Sequence, residues 1–334
     1  MVAQENNFVE KYIKLRHKIV RATWTDEASK WTVTVQNLET GQEFEDQVDI
    51  IIDGGGVLNR WKWPDIEGLN DFTGDLLHSA NWNQGCDLTN KRVALIGAGS
   101  SGVQILPNIY DRVSKVYTWV RNRIWITAGF AQAFAGKDGA NFIYTDEQRK
   151  LFSDPDSYLT YRKAIEDELN RRFEFIINGS QAQKDAREFS ENEMKTLLKK
   201  RPDLLDKIMP TNFDVGCRRR ELQSFPDIPK PLAEPSTATP GNGYLEALIG
   251  PKTTAYTEQI RHITKTGFID PDGIEHQVDV IICATGFDTT YNLKFPVYVN
   301  GLDMSEKWQS RDKVPSYLSL GYAEVRFGWT LIPK

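Results

Sequence analysis

The sequence predicts an α/β fold built on a parallel sheet. Three observations predict it: a short apolar run that ends in a glycine-spaced turn, a second apolar run one helix later, and a long charged helical stretch before further strands. The first run is Val93–Ile96, entered through Lys91-Arg92. Gly97, Gly99 and Gly102 follow at GxGxxG spacing, within Gly97-Ala98-Gly99-Ser100-Ser101-Gly102, and Val103-Gln104-Ile105-Leu106 continues as a helix. This reads as a buried strand turning into a helix N-terminus, the Rossmann-type arrangement. Gly97 permits the tight turn, Gly99 lets a pyrophosphate approach the backbone, and Gly102 lets the helix pack on the strand. The free N–H groups and the helix dipole then favour an anion. A bare GxGxxG is also compatible with a simple glycine-rich turn. Its place between strand and helix favours a dinucleotide site, with Gly97, Ala98, Gly99, Ser100, Ser101, Gly102, Val103 and Gln104 as the binding stretch.

The next strand says which dinucleotide. Val113–Asn122 reads Val-Ser-Lys-Val-Tyr-Thr-Trp-Val-Arg-Asn. NAD sites place Asp or Glu about 20 residues past the glycines, on the ribose 2′-OH. Here that region offers Arg121 and Asn122, with Arg123 close by. A cation suits a 2′-phosphate, so NADP(H) is favoured over NAD(H). The competing reading is a solvated arginine at a strand end.

Composition sets the class. The chain has 334 residues, 40% of them hydrophobic, enough for two domains with a sizeable core. A net charge of −5 argues against a nucleic-acid partner. No apolar run approaches the roughly 18 residues of a membrane span, and the first residues are polar, unlike a signal peptide. The three cysteines, Cys86, Cys217 and Cys283, are far apart and odd in number. They form no disulfide framework and fit a reducing compartment, so a cytoplasmic location is expected. His17, His78, His262 and His276 show no metal-ligand spacing, and no metal is expected.

Along the chain, Tyr12–Leu15, Ile19–Trp24 and Trp31–Leu38 read as strands of an antiparallel meander, with a turn at Thr40-Gly41. Val48–Ile52 reads as a further buried strand ending in Asp53-Gly54-Gly55-Gly56. Residues 57–90 look loop-rich. Helical periodicity and charge dominate residues 146–210, the centre of a helical insertion expected over about 131–215. Its charge runs read as solvated helix faces. A proline-rich stretch at 222–242 reads as an irregular loop. Gln259–Ile263 and Val278–Cys283 are strands again, the second ending at Ala284-Thr285-Gly286-Phe287-Asp288.

Phe72-Thr-Gly74-Asp-Leu-Leu-His78-Ser-Ala-Asn-Trp82 fits FxGxxxHxxxW, four fixed residues at fixed spacing. Together with the glycine turn, the Gly216-Cys-Arg-Arg run and the Ala284-Thr-Gly turn, in that order, it resembles the type I Baeyer–Villiger monooxygenases. Gly54–Pro64 looks most like their fungal branch, which acts on polyketide and terpenoid metabolites. The resemblance covers about residues 10–320. It implies FAD in a flavin domain, NADPH in a second Rossmann domain, and oxygen insertion beside a ketone carbonyl to give an ester or lactone. Partners are then a small-molecule ketone and O2. It also implies that Arg219 is the essential catalytic arginine, with Arg218 beside it, supplying a cation where negative charge develops. A surface basic run is the other reading of Arg218–Arg220. His78 reads equally as a cofactor-orienting or a hydrogen-bonded structural histidine, and Trp82 as packing.

The chain departs from the family pattern in three places. It lacks the first GxGxxG unit that cradles FAD, it loses the pattern after Ser319-Leu320, and it carries extra proline-rich sequence after Arg219. The expectation is a chain truncated at its FAD half and at its C-terminus. The domains expected are a remnant of the FAD-binding domain at 1–85, an NADP-binding Rossmann domain at 86–285, and a partial return to the FAD-binding domain at 286–334. A catalytically inactive NADP-binding fragment, or a flavin monooxygenase oxidising nitrogen or sulfur, are the alternatives to the Baeyer–Villiger reading.

Overall fold

The computed structural model describes residues 6–56, 58–127, 132–136, 142–211, 213–215, 239–288, 293–307, 316–317 and 321–322. The chain divides into two compact units, one of residues 1–62 and 287–334, the other Trp63–Gly286.

The first unit is built on a twisted sheet. A single-turn helix α1 (Phe8–Tyr12) precedes strands β1 (His17–Thr25), β2 (Lys30–Asn37) and β3 (Glu43–Val48). These three form the expected antiparallel meander, with Trp24 directly opposite Trp31 and Gly41 at φ +72° in the β2–β3 turn. Paired aromatics of this kind are the cross-strand contacts that hold a sheet's register. They anchor a small core of Ala22, Trp24, Trp31, Val33, Val297 and Met304. Tyr12 ends a helix instead of opening a strand. Phe8 and Tyr12 meet at helical spacing with ring centroids 6.2 Å apart, and nothing on that turn is buried. The strand expected over Val48–Ile52 also fails to form as such. Pairing of β3 with β2 stops at Val48, and Ile50 and Ile52 are 50% and 63% exposed.

The second unit carries the parallel sheet. Strands β4 (Asp75–His78), β5 (Arg92–Ile96) and β6 (Lys115–Trp119) flank helix α2 (Ser100–Tyr110). A two-residue ladder joins β7 (Ile126–Thr127) to β8 (Thr239–Pro240). Helices α3 (Asp146–Phe152), α4 (Pro155–Arg171), α5 (Gln181–Leu197) and α6 (Pro202–Ile208) form the insertion. Helix α7 (Tyr244–Ile249) then leads to β9 (Thr253–Tyr256), a meander of β10 (His262–Ile263), β11 (Gly267–Ile269) and β12 (Glu275–Gln277), and β13 (Val280–Cys283). The parallel order is β4-β13-β5-β6-β9. β4 sits in the stretch read as loop-rich. Its four residues are too few to show a period.

Both faces of this sheet are covered, which is why β5 and β13 are apolar without alternation. Val93, Leu95, Val280 and Ile282 pack with Val103 and Leu106 of α2 and Leu245 and Leu248 of α7. Ala94, Ile96, Ile281 and Cys283 face the other way, onto Ile263 and Phe268 of the meander. The insertion joins the first face through Met194, Leu198, Leu204 and Ile208. Its start is set locally: the Thr145 hydroxyl accepts from Gln148 N–H while Gln148 Oε1 accepts from Thr145 N–H, a reciprocal cap. Helices α3 and α4 bury no residue, and their charges pair at i,i+3 or i,i+4 in solvent, as expected of solvated faces.

The amino edge of the sheet is locked by Arg92 and Asp279. The Asp279 carboxylate accepts from Arg92 N–H at 2.8 Å and from its guanidinium Nη2 at 2.8 Å. These bonds hold the Asp279 carboxyl at a pKa of about 2, against an ordinary 3.8. The native pKa lies below the unfolded one, so this stabilisation is complete above pH 4 and is lost as pH falls toward 2. Asp279→Asn should therefore be less stable than the parent at pH 7, and the gap should close near pH 2. Urea unfolding across that pH series checks it.

Candidate cofactor site

The site forms where β5 meets β13. Ala284 N–H donates to the Ile96 carbonyl at 2.8 Å, so the turn after β13 lies against the turn after β5. Gly97 has φ +118°, and a Cβ there would stand 2.2 Å from the Ala284 carbonyl oxygen. A Cβ on Gly102 would stand 1.9 Å from the Gly97 carbonyl oxygen. Both glycines are required by close backbone approach. Gly99 is different: a Cβ there meets no atom within 4 Å, and the position opens outward.

Gly99 is also the cap of α2, and no side chain caps that end. An uncapped helix start of this kind, with its dipole, suits an anion. Ala98, Ser100 and Ser101 are half-buried around the turn and Val103 is fully buried beneath it. Gln104 is exposed, and its amide donates to the Ser100 carbonyl at 3.1 Å. The chain proceeds from β5 to β6 on one side while β13 lies on the other, so the crevice sits at the point where strand order reverses. Ligands of open α/β sheets bind there, outside the carboxyl ends of the strands. Two hydroxyls on that edge, Ser79 Oγ after β4 and Thr285 Oγ1 after β13, are buried without a hydrogen-bond partner among the described residues. The glycine cradle and these two hydroxyls fit a dinucleotide.

Arg121 and Asn122 follow β6 on the same edge, and both are exposed. No hydrogen bond or ion pair engages Arg121 among the described residues. Arg123 is committed elsewhere: its Nη1 donates to the Met209 carbonyl at 2.6 Å, beyond the end of α6. Of the two arginines, Arg121 is the one without a hydrogen bond or ion pair among the described residues. Arg218, Arg219 and the Gly216-Cys-Arg-Arg run lie outside the described residues.

His78 ends β4 fully buried, with Trp63 edge-on at 5.7 Å and Nδ1 accepting from Ala80 N–H at 3.1 Å. Burial pushes its pKa down. The ring is therefore neutral at pH 7, with its proton on Nε2. Trp82 packs against the main core. The Cys283 thiol is pushed up to about 12 by burial, and Cys86 is raised by burial and by Asp75, so neither offers a thiolate. Among the described residues no group of three His, Cys, Asp or Glu side chains could hold a metal, and no helix is long and apolar enough to cross a membrane.

In the first unit, the Gly54-Gly55-Gly56 turn does not form a second cradle. Gly55 N–H donates to Asp53 Oδ1 at 2.9 Å, so that donor is already satisfied within the turn. Sequence reasoning also missed three side chains that hold residues 213–215. The Trp125 indole donates to the Phe213 carbonyl, Arg187 pairs with Asp214, and Gln183 donates to the Val215 carbonyl. The signal for Gln183 was available: a lone amide seven residues before Ser190 and eleven before Met194, on the buried stripe of α5.

The profile of the flavin-binding monooxygenase-like family matches residues 1–194, more than half of the chain, and the chain belongs to that family. The FAD-binding monooxygenase tazF of Aspergillus terreus is 35% identical over 316 residues, which is 93% of this chain and 52% of tazF. A Baeyer-Villiger monooxygenase of Pseudomonas aeruginosa is 27% identical over 298 residues, 88% of this chain and 50% of that protein. The chain thus spans about half the length of the curated relatives it matches. Cyclohexanone monooxygenase from Rhodococcus sp. Phi1, solved bound to NADP+, shares the fold with a TM-score of 0.68 at 23% identity, over 98% of this chain and 64% of that one. These findings agree with the resemblance drawn from Phe72–Trp82 and with the expected α/β class.

The glycine geometry separates structural from binding roles. Gly97→Ala and Gly102→Ala should each lower the melting temperature by several degrees, because backbone must move to admit the Cβ. Gly99→Ala should cost no more than about 1 kcal/mol, its φ and surroundings being open. Thermal melts of the three variants test this ordering.

Proposed function

We propose that the Trp63–Gly286 unit binds NADP(H), and that the chain serves, with FAD, in a Baeyer–Villiger monooxygenase. The substrate class is a ketone that takes one oxygen atom from O2 to become an ester or lactone, in fungal secondary metabolism. The observation that carries the nucleotide reading is the uncapped α2 N-terminus at Gly99, open to space, with Arg121 on the same sheet edge. The family, and relatives whose names specify FAD and Baeyer-Villiger activity, support the reaction class. Three scattered cysteines support a reducing, cytoplasmic setting.

In this reading the N–H groups of the Gly99–Gly102 turn hold the pyrophosphate. Gly97, Ala98, Val103 and Gln104 shape the turn around it, with Ser100 and Ser101 at its rim. Arg121, beside Asn122, holds the 2′-phosphate. Bound there, NADPH supplies the hydride. Arg219 provides a fixed cation where negative charge grows during oxygen insertion, a role assigned from its place in Gly216-Cys-Arg-Arg. The described residues of the first unit form no pyrophosphate cradle, so the FAD assignment rests on the family and the relatives.

Arg121→Ala should weaken NADPH binding about ten- to a hundredfold, because a charge-assisted hydrogen bond is worth roughly 1.5–3 kcal/mol. NADH binding should be nearly unchanged. Titration of both nucleotides against both proteins decides it. Equal losses for the two would remove Arg121 from the 2′-phosphate, and no binding of either to the parent would remove the site.

A further inference from the structure

The charged hairpin of the insertion leaves one stripe bare. Neither α3 nor α4 buries a residue, although α4 runs to 17 residues. A helix of that length takes most of its stability from packing an apolar face. The inner side of α4 is half-buried: Tyr161 stacks on Phe152 with ring centroids 4.5 Å apart, and Ile165 follows one turn on. Beside it runs a second stripe of Tyr158, Leu159, Arg162, Glu166 and Leu169, with Phe173 one turn further, in the 3-10 turn that ends the helix. Its four apolar members are between 45% and 64% exposed. At about 200 Å² for a large side chain, they leave roughly 400 Å² of apolar surface in water, the size of patch that serves for binding on a monomer.

The order of charge along the stripe says what covers it. Leu159, Arg162, Glu166 and Leu169 are spaced three, four and three residues apart, which puts them on one helical face. That spacing reads the same in both directions, and reversal exchanges the cation with the anion. Such a face is complementary to itself, as an interface with two-fold symmetry requires. We propose that α4 docks on α4 of a second copy of this chain, antiparallel, about a two-fold axis midway between Arg162 and Glu166. Leu159 then lies opposite the partner's Leu169, and Arg162 opposite the partner's Glu166, each contact occurring twice by symmetry. Parallel pairing at the same register would set like charge against like. The contacts within the helix leave these groups available. Glu166 meets Lys163 at 3.4 Å with both side chains more than half exposed, and Arg162 lies over the Tyr158 ring at 5.6 Å, inside the same stripe. Solvated contacts of this kind are worth little and can be shared. The apolar area is about half of the roughly 800 Å² per partner of a standard interface, so the dimer is a weak one that forms with concentration.

Sedimentation velocity across about 1–200 μM chain, without nucleotide, tests this independently of the cofactor site. The parent should pass from monomer to dimer with a midpoint on the order of 10–50 μM. Arg162→Glu and Glu166→Arg each place two like-charge pairs in the interface, and each should weaken it at least about tenfold. Leu159→Ser, which leaves the charges in place, should weaken it as well. The double variant Arg162→Glu/Glu166→Arg exchanges the two signs and should dimerise within about threefold of the parent. An equal mixture of the two single variants should form a heterodimer, because each then meets the opposite charge at both pairs. Recovery in the mixture cannot come from a misfolded helix, so it separates a contact across the interface from a merely structural effect. A parent that stays monomeric throughout the range would overturn the proposal. So would a dimer indifferent to these substitutions, or single variants whose loss neither the double variant nor the mixture repairs.

Discussion

The contact on which this structure depends is backbone against backbone: Gly97 and Gly102 against each other and against Ala284. Oxygen atoms stand 1.9 and 2.2 Å from where side chains would begin. No packing rearrangement of side chains can relieve that, so the two glycines fix how closely α2 approaches β5 and β13. The close approach does two things at once. It completes the core, bringing Val103 and Leu106 onto Val93 and Leu95. It also aims the bare first turn of α2 at the crevice between two strand ends. Stability depends on this geometry at Gly97 and Gly102, and Gly99 is the glycine of the three that stability does not demand.

That separation bears on how the sequence could be read. The parallel sheet was legible because both of its faces are covered, which leaves runs such as Val93–Ile96 and Val280–Cys283 without polar interruption. The glycine turn was legible because its spacing encodes a steric requirement. Arg121 was legible as a cation past the second strand; it is exposed, whereas the Arg123 guanidinium serves the Met209 carbonyl. β4 was not legible, since four residues carry no period and its pairing comes entirely from β13, two hundred residues away. Tyr12 and Val48–Ile52 misled for the opposite reason: β-prone composition without a covering layer does not make a strand. The tether on residues 213–215 was hidden because its parts come from three distant stretches, and only the buried amide at position 183 broke a pattern.

The insertion shows two regimes of helix within one segment. α3 and α4 are held by caps and solvated ion pairs and bury nothing, so their stability is local and small. α5, the turn that follows it and α6 send Met194, Leu198, Leu204 and Ile208 into the main core. The tether to residues 213–215 comes from α5, the helix that is itself fixed.

The two ends of the parallel sheet differ in how completely their polar groups are matched. The amino end has a cavity of about 460 Å³ lined by Lys91, Arg92, Lys265, Asp75 and Asp279. Its central pair is already matched, because Arg92 is joined to Asp279 through backbone and guanidinium. A ligand at that pair would have to displace bonds before making its own. At the carboxyl end the helix turn lacks a cap, Ser79 and Thr285 have buried hydroxyls without partners among the described residues, and Arg121 is exposed without one. A buried polar group without a partner costs about 1–3 kcal/mol, and a bound group that satisfies it recovers that loss. In the proposed reading, the carboxyl edge is the end of this sheet whose unmatched polar groups a dinucleotide would satisfy.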